Sequence, residues 1–241
     1  MAGINKLFGV LLACLLGTTA YGQITSGKIV FERKTNLMKR FNDERMKRFV
    51  NENNKVKTEL FTLYFNDTCS VFKPILNDVP DETSWMTTKN SYFQNTNSNE
   101  KLSVLSLFGT DVFITDSITP RNWKITENKR KIGNYECRKA IYQKNDSTRL
   151  YAWFSVDIIP TTGPEGFSGL PGTILGLATE DGGVIYFAKS VEAMVPKKED
   201  LMLNSGKNKI FTMNEFKLKI EKDYGNSPWG KRMFEDLFRW L

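Results

Sequence analysis

The sequence predicts a mainly β protein with helices (α+β). Its centre is one curved antiparallel meander sheet, or a half-open barrel formed from that sheet, packed by a helix from the N-terminal half and by C-terminal helices. Short segments of alternating apolar and polar residues follow one another from residue 28 to residue 189, which is typical of half-buried strands. Turns rich in Gly, Asn and Asp join these segments, and such short connections favour antiparallel neighbours. Helical spacing is confined to residues 36–54 and to the chain after residue 212.

Residues 1–22 have the anatomy of a secretory signal peptide. Lys6 is the charged start, residues 7–17 form the apolar run, and a small-x-small site predicts cleavage before Gln23. The apolar run is too short to span a membrane. We therefore expect an exported, periplasmic protein in which residues 23–241 form a single β-rich domain.

Cys14 follows Leu-Leu-Ala, the pattern at which a lipoprotein would be cleaved and anchored by lipid. The residues after it stay hydrophobic rather than forming a polar linker, which favours an ordinary signal peptide. Without residues 1–22 the chain carries 33 basic and 27 acidic residues, a net charge of +6. Because the charges are mixed, we interpret them as a solvated surface, and export excludes nucleic acid as a partner.

Ten strands are predicted, and the loop before the fourth is polar and turn-rich. Residues 75–102 hold few apolar residues apart from Trp85-Met86 and Tyr92-Phe93, so we predict a loop there. The predicted strands are 28–33, 59–66, 69–73, 102–108, 111–118, 122–127, 135–143, 151–156, 173–180 and 184–189.

The predicted helices are amphipathic. Residues 36–54 are basic with apolar residues near helical spacing, which predicts one helix, or a helix broken near Asn42-Asp43, that covers the sheet rather than a membrane surface. Thr212 and Glu215 have capping-box spacing for a later helix. A last helix beginning at Ser227-Pro228 carries an apolar stripe that we expect to pack on the sheet: Met233, Phe234, Leu237, Phe238 and Leu241.

The stretch 151–189 combines strands with a loop shaped by proline and glycine. Leu170-Pro171-Gly172-Thr173 suits a type II turn, with proline and glycine at the central positions. Asp181-Gly182-Gly183 predicts a hairpin between the two strands that follow.

The run Gly169-Leu170-Pro171-Gly172-Thr173-Ile174, with Trp153-Phe154 and Gly163-Pro164 before it, resembles the signature of the GLPGLI family of Bacteroidota exported envelope proteins. Thr173 stands where the family name has its second leucine. A β-branched residue suits the start of a strand equally well. The resemblance implies a compartment and a fold more than an activity, because the family has no established activity.

The available catalytic chemistry is narrow. The chain contains no histidine, which removes histidine-based nucleophile pairs and histidine-ligated metal sites, and no cofactor motif is present. The carboxylates Glu165, Glu180 and Asp181 flank the signature and could act as acid and base. We predict no metal site; calcium at Asn77, Asp78, Asp81 and Glu82 matches no EF-hand spacing.

The leading hypothesis is a non-enzymatic periplasmic binding or accessory protein without a cofactor. It would associate with an outer-membrane protein complex or with a small apolar or peptide ligand. The candidate binding residues are Phe167, Leu170, Pro171, Ile174 and Trp153, because a rigid apolar turn loses little entropy on binding; the same turn could equally be core. The alternative is a carboxylate-dependent hydrolase of envelope polymers, with two facing acids in a water-filled cleft.

Two further expectations concern covalent chemistry. Cys69 and Cys137 remain after signal removal and could form a disulfide or stay as buried thiols. Ser117 and Ser147 lie in Asp-Ser-Ile and Asp-Ser-Thr, which resemble the O-glycosylation sites of Bacteroidota exported proteins.

Overall fold

The computed structural model describes residues 22–41, 44–76, 83–107, 109–145 and 148–225. Their strands form one sheet of twelve strands. The strands are β1 (Gly27–Asn36), β2 (Val56–Phe65), β3 (Cys69–Pro74), β4 (Ser91–Asn95), β5 (Glu100–Leu107), β6 (Thr110–Ser117), β7 (Trp123–Ile132), β8 (Tyr135–Asn145), β9 (Thr148–Ser155), β10 (Thr173–Thr179), β11 (Val184–Ala193) and β12 (Ile210–Thr212).

The sheet consists of two meanders joined along their first and last strands. Its order is β12-β6-β5-β4-β3-β2-β1-β11-β10-β9-β8-β7, so β1 pairs with β2 on one side and with β11 on the other. All neighbours are antiparallel except β12, which lies parallel to β6 and makes the sheet mixed. The prediction of a β-rich α+β protein built on a largely antiparallel meander is confirmed.

Strand β4 corrects the prediction of a loop over residues 75–102. It places Tyr92 and Gln94 on the buried face, and Gln94 is only 3% exposed. A polar inward residue weakens the apolar alternation on which strand prediction depends. The four residues considered for calcium lie outside the described residues.

The segment after β1 does not cover the sheet, contrary to the prediction. It forms two helices of four residues, α1 (Leu37–Arg40) and α2 (Glu44–Lys47), and α2 buries none of its side chains. Asn36 pairs with Val56, so the segment is the connection at the end of a long β1–β2 hairpin. The break predicted at Asn42-Asp43 lies outside the described residues.

Helix α3 (Met213–Tyr224) begins with the predicted capping box, because Thr212 and Glu215 each satisfy the other's backbone N–H. It buries Phe216 and Ile220 against Leu105 and Ile114 of the sheet. The predicted last helix and its apolar stripe lie outside the described residues. Among the residues that are described, no helix is both long and apolar enough to cross a membrane.

The main core lies on one face of the sheet. Alternate residues of β1 and β2 are fully buried, and the loop between β9 and β10 adds further apolar side chains to the same cluster. The principal residues are Ile29, Phe31, Phe61, Leu63, Phe65, Phe72, Tyr92, Phe154, Phe167, Leu170, Ile174, Leu177 and Tyr186. We call this face the inner face.

Candidate functional site

The β9–β10 loop, residues 156–172, lies against the inner face and carries the GLPGTI run at its end. The Gln94 side-chain amide of β4 donates to the Gly166 carbonyl at 3.0 Å. The Trp123 indole of β7 donates to the Ser168 carbonyl at 2.9 Å. Because β4 and β7 are far apart in the sheet order, this one loop connects distant parts of the sheet.

The turn at Pro171 is tighter than the predicted type II turn. The Gly172 N–H donates to the Leu170 carbonyl at 2.8 Å, whereas the Thr173 N–H donates to Ile158; a bond between residues two apart is that of a γ-turn. Gly172 has φ 138°, and a Cβ there would lie 2.1 Å from the Ser155 carbonyl oxygen. Strand β9 therefore approaches so closely that only glycine fits.

Thr173, which stands where the GLPGLI signature has its second leucine, is fully buried and has a polar partner. Its hydroxyl donates to the Pro160 carbonyl at 2.6 Å. This bond joins the end of the loop to its beginning, which a leucine could not do.

The candidate binding residues do not form one exposed edge. Phe167, Leu170 and Ile174 are at most 2% exposed and belong to the core, whereas Pro171 is exposed. Trp153 is half-buried on the opposite face of β9, 5.7 Å from the Phe187 ring. The sequence left open whether this apolar turn is a binding edge or part of the core. In the structure its apolar side chains are part of the core.

A buried charged cluster lies beneath the loop, centred on Arg33. Glu59 and Tyr186 are the cross-strand neighbours of Arg33 on β2 and β11. The Arg33 guanidinium donates to Glu59 Oε2 at 2.6 and 3.2 Å and to the Tyr186 hydroxyl at 3.2 Å. It also lies 4.6 Å from the centre of the Phe61 ring. Arg33 is thus held on an apolar face by a charge-assisted pair.

Glu165 enters this cluster from the loop. It accepts a short hydrogen bond from the Tyr186 hydroxyl and lies 3.8 Å from Arg33. Its backbone has φ 55°, an uncommon value for a residue other than glycine. Its second oxygen, Oε2, is buried and has no hydrogen-bond partner among the described residues.

Burial and neighbouring charges shift the proton affinities of the cluster. Burial raises the pKa of Glu165, and this effect outweighs the opposing attraction of Arg33. Burial opposes the charge of Arg33, but Tyr186, Glu59 and Glu165 outweigh it and raise the pKa of the guanidinium. The pKa of the Tyr92 and of the Tyr186 phenol is raised, first by burial and further by Glu165. Arg33 therefore stays charged, with Glu59 as its close partner.

The other carboxylates near the signature have structural partners. Glu180 accepts from Arg149 at 2.7 Å and from Tyr151 at 2.8 Å on the surface. Asp181 accepts from the Gly183 N–H at 2.9 Å in the predicted hairpin turn. The three candidate acids therefore do not converge on one site.

Sequence reasoning missed Arg33, Glu59, Tyr92 and Tyr186. One signal was available, because Arg33 continues the inward positions of Ile29 and Phe31 in an alternating strand. A charged residue at an inward position predicts a buried partner. The identity of that partner depends on strand register, which the sequence did not provide.

The cysteines are free thiols, Cys69 half-buried and Cys137 buried. They lie on β3 and β8, and no disulfide joins them in the structure. Burial raises the pKa of Cys137 to about 12. Ser117 is exposed at the end of β6, and Ser147 lies outside the described residues. Within those residues, no group of three or more His, Cys, Asp or Glu side chains could hold a metal ion.

An apolar groove lies on the outer face of β4–β6, under the segment that precedes β12. Its volume is about 530 Å³. Leu102 is the cross-strand neighbour of Phe93 and of Thr115, and Met202 and Ile210 are 51% and 43% exposed. The lining residues are Phe93, Glu100, Lys101, Leu102, Thr115, Met202, Leu203 and Ile210.

The fold is similar to that of PNGF-II. One structure, in space group C2, has a TM-score of 0.53 at 16% identity and covers 80% of this chain and 32% of that chain. A second, in space group P21, has a TM-score of 0.55 at 16% identity and covers 83% and 34%. This chain thus spans about a third of the length of PNGF-II, and at this identity the likeness shows the fold alone.

An uncharacterized conserved protein from Thermus thermophilus matches with a TM-score of 0.42 and 7% identity, over 84% of this chain and 99% of that chain. No family model matches the chain. No curated protein matches it either.

Proposed function

We propose that this chain is a non-enzymatic binding or accessory protein of the cell envelope, exported by residues 1–22 and related to the GLPGLI family. It has no cofactor, and its location is periplasmic, beside an outer-membrane protein. The signal-like N-terminus supports export. The buried GLPGTI turn supports a structural role for the signature, in which it fastens a loop to the inner face of the sheet.

The observation that carries the binding function is the groove on the outer face. Ligand sites are concave and mostly apolar, with volumes of roughly 300–1,000 Å³, and this groove has about 530 Å³. Exposed Met202 supplies an unbranched thioether, which adapts to irregular apolar surfaces. A short apolar peptide segment of an envelope partner fits this chemistry.

The loop also supports a finer description of the sheet. Trp123 on β7 and Gln94 on β4 both contact the loop, at the Phe167 ring and at the Gly166 carbonyl respectively. A twisted sheet whose separated strands reach the same short segment is curled around it. In this proposal the sheet is a half-open barrel that the loop fills.

Site-specific photo-crosslinking in the native envelope tests the groove. A photoreactive residue at Met202 should give one abundant adduct, identified by mass spectrometry, and Ile210→Glu should weaken it. Val195 is the matched control, because it lies in the same connecting segment, is 85% exposed and is not among the groove-lining residues. The proposal fails if position 202 gives no adduct or the same adducts as position 195.

A second candidate function is the carboxylate-dependent hydrolase of envelope polymers. Glu59 and Glu165 both approach Arg33, and burial raises the pKa of Glu165, as a general acid requires. Wild-type protein should then release sugars from purified envelope polysaccharide, and Glu165→Gln should abolish release while the circular dichroism spectrum is unchanged. Absence of release by the wild type, or undiminished release by the variant, excludes this function.

A further inference from the structure

Lys101 on β5 is a buried lysine without a polar partner. It is 3% exposed, and its ammonium makes no hydrogen bond or ion pair with any residue that the structure describes. It contacts the ring of Tyr92, whose centre lies 5.6 Å from Nζ. Asp116, its cross-strand neighbour on β6, and Glu165 of the loop act on the ammonium electrostatically, but neither forms an ion pair with it. Burying an ammonium whose donors are unused is costly, so its donors remain available to an anionic group.

A second cation, Arg121, lies near enough to Lys101 to interact with it electrostatically. Gln94 is the cross-strand neighbour of Lys101 and donates to the Gly166 carbonyl. Arg121 donates to that same carbonyl at 3.5 Å, and its guanidinium lies 4.3 Å from the centre of the Phe167 ring. Arg121 forms no ion pair with a carboxylate of the described chain.

Further basic groups lie between this place and the solvent. Lys144 at the end of β8 interacts electrostatically with Lys101 and Arg121, and also with Lys217 of α3. Lys144 and Lys217 are exposed, Arg121 is half-buried, and Lys101 is buried. Positive charge therefore continues from the surface to the inner face, an arrangement that concentrates anions.

We propose that Lys101 and Arg121 bind a small oxyanion, meaning a phosphate, sulfate or carboxylate group, on the inner face of the sheet beside Gly166. The ammonium supplies three rotatable donors, and the planar guanidinium supplies a fork that matches two anion oxygens. The site shares Lys101 with the lining of the groove, but the ammonium lies on the inner face over the Tyr92 ring, whereas Leu102, the next residue of β5, faces the other side of the sheet. It does not depend on the function proposed for that groove.

Charged neighbours on every side set the pH range of binding. Burial lowers the pKa of Lys101 to about 8, and Arg121 and Lys144 act in the same direction. Asp116 of β6 and Glu165 of the loop act in the opposite direction, and Tyr92 of β4 lies under the ammonium. The ammonium is therefore mostly charged at pH 7 and mostly neutral at pH 9, so anions should bind at the lower pH.

Titration calorimetry with sulfate tests the site, because the charge of sulfate does not change between pH 7 and pH 9. At constant ionic strength, the affinity of the wild type should fall about tenfold over this range, as Lys101 loses its proton. Lys101→Met should lower the affinity at pH 7 by about the same factor and remove the pH dependence, without loss of thermal stability. A residue that only supported the fold would lower stability instead.

Lys189→Met is the matched control. Lys189 is 56% exposed and pairs with Glu32, so its loss removes one positive charge away from the site. This variant should keep both the affinity and the pH dependence of the wild type. The proposal is overturned if the wild type does not bind sulfate, if Lys101→Met binds as the wild type does, or if Lys189→Met weakens binding equally.

Discussion

Replacing Arg33 by methionine tests whether the buried charged cluster holds the loop and the sheet together. Methionine keeps the unbranched side chain but removes the charge, the donors to Glu59 at 2.6 and 3.2 Å, and the donor to Tyr186. Glu59, whose side chain is 8% exposed, then keeps its carboxylate without its closest counter-ion. Removing one partner of a buried ion pair costs about 3–5 kcal/mol.

The expected result is a large loss of stability at pH 7. For a domain of this size each kcal/mol lowers the melting temperature by about 2–4 °C, so the midpoint should fall by on the order of 10 °C. Urea unfolding gives the free energy directly. Arg33→Met/Glu59→Gln should recover most of the loss, because it removes the orphaned carboxylate as well.

Arg149→Met is the control for this prediction. Arg149 pairs with Glu180 at 2.7 Å, nearly the same distance, but the two side chains are 40% and 47% exposed. Exposed ion pairs add little to stability, so this change should be much milder. If Arg33→Met costs no more than Arg149→Met, or if the double variant is no more stable than Arg33→Met, the assignment of the cluster as a structural anchor is wrong.

Three further predictions concern the turn, the acid and the thiols. Leu170→Asp places a charge at a core position that is 2% exposed and should lower the free energy of unfolding in urea by about 3 kcal/mol or more. Pro171→Asp, at the exposed neighbouring residue, should lower it little. Equal effects of the two variants would contradict the assignment of Leu170 to the core. Burial raises the pKa of Glu165 in the folded state. The free energy of unfolding should therefore decrease as pH rises from the ordinary glutamate pKa through the pKa of the folded state. Glu165→Gln should lack this decrease, and an unchanged dependence of stability on pH would show that Glu165 does not titrate in that range. Alkylation without reductant, followed by intact-mass measurement, should show Cys69 modified before Cys137 in the native protein and both modified after unfolding. If neither cysteine is alkylated in the unfolded chain, the two form a disulfide.

Local patterns in the sequence predicted most strands of the sheet but not all of them. Alternation identified the strand of Phe61, Leu63 and Phe65, because one face is fully apolar. Strand β4 was missed because inward Gln94 is polar and finds its partner in the distant Gly166 carbonyl. The segment 36–54 was expected to cover the sheet, since helical spacing does not tell whether a sheet face lies beneath it.

The sequence by itself determined the local geometry of this protein: alternating strands and the capping box at Thr212. These features depend on neighbours along the chain, which a sequence displays directly. The tertiary structure decided that Leu170 is core and that Arg33, Glu59 and Glu165 meet. Such contacts depend on strand register and on the path of a loop across the sheet, because only the folded chain brings residues so distant in sequence within reach of one another.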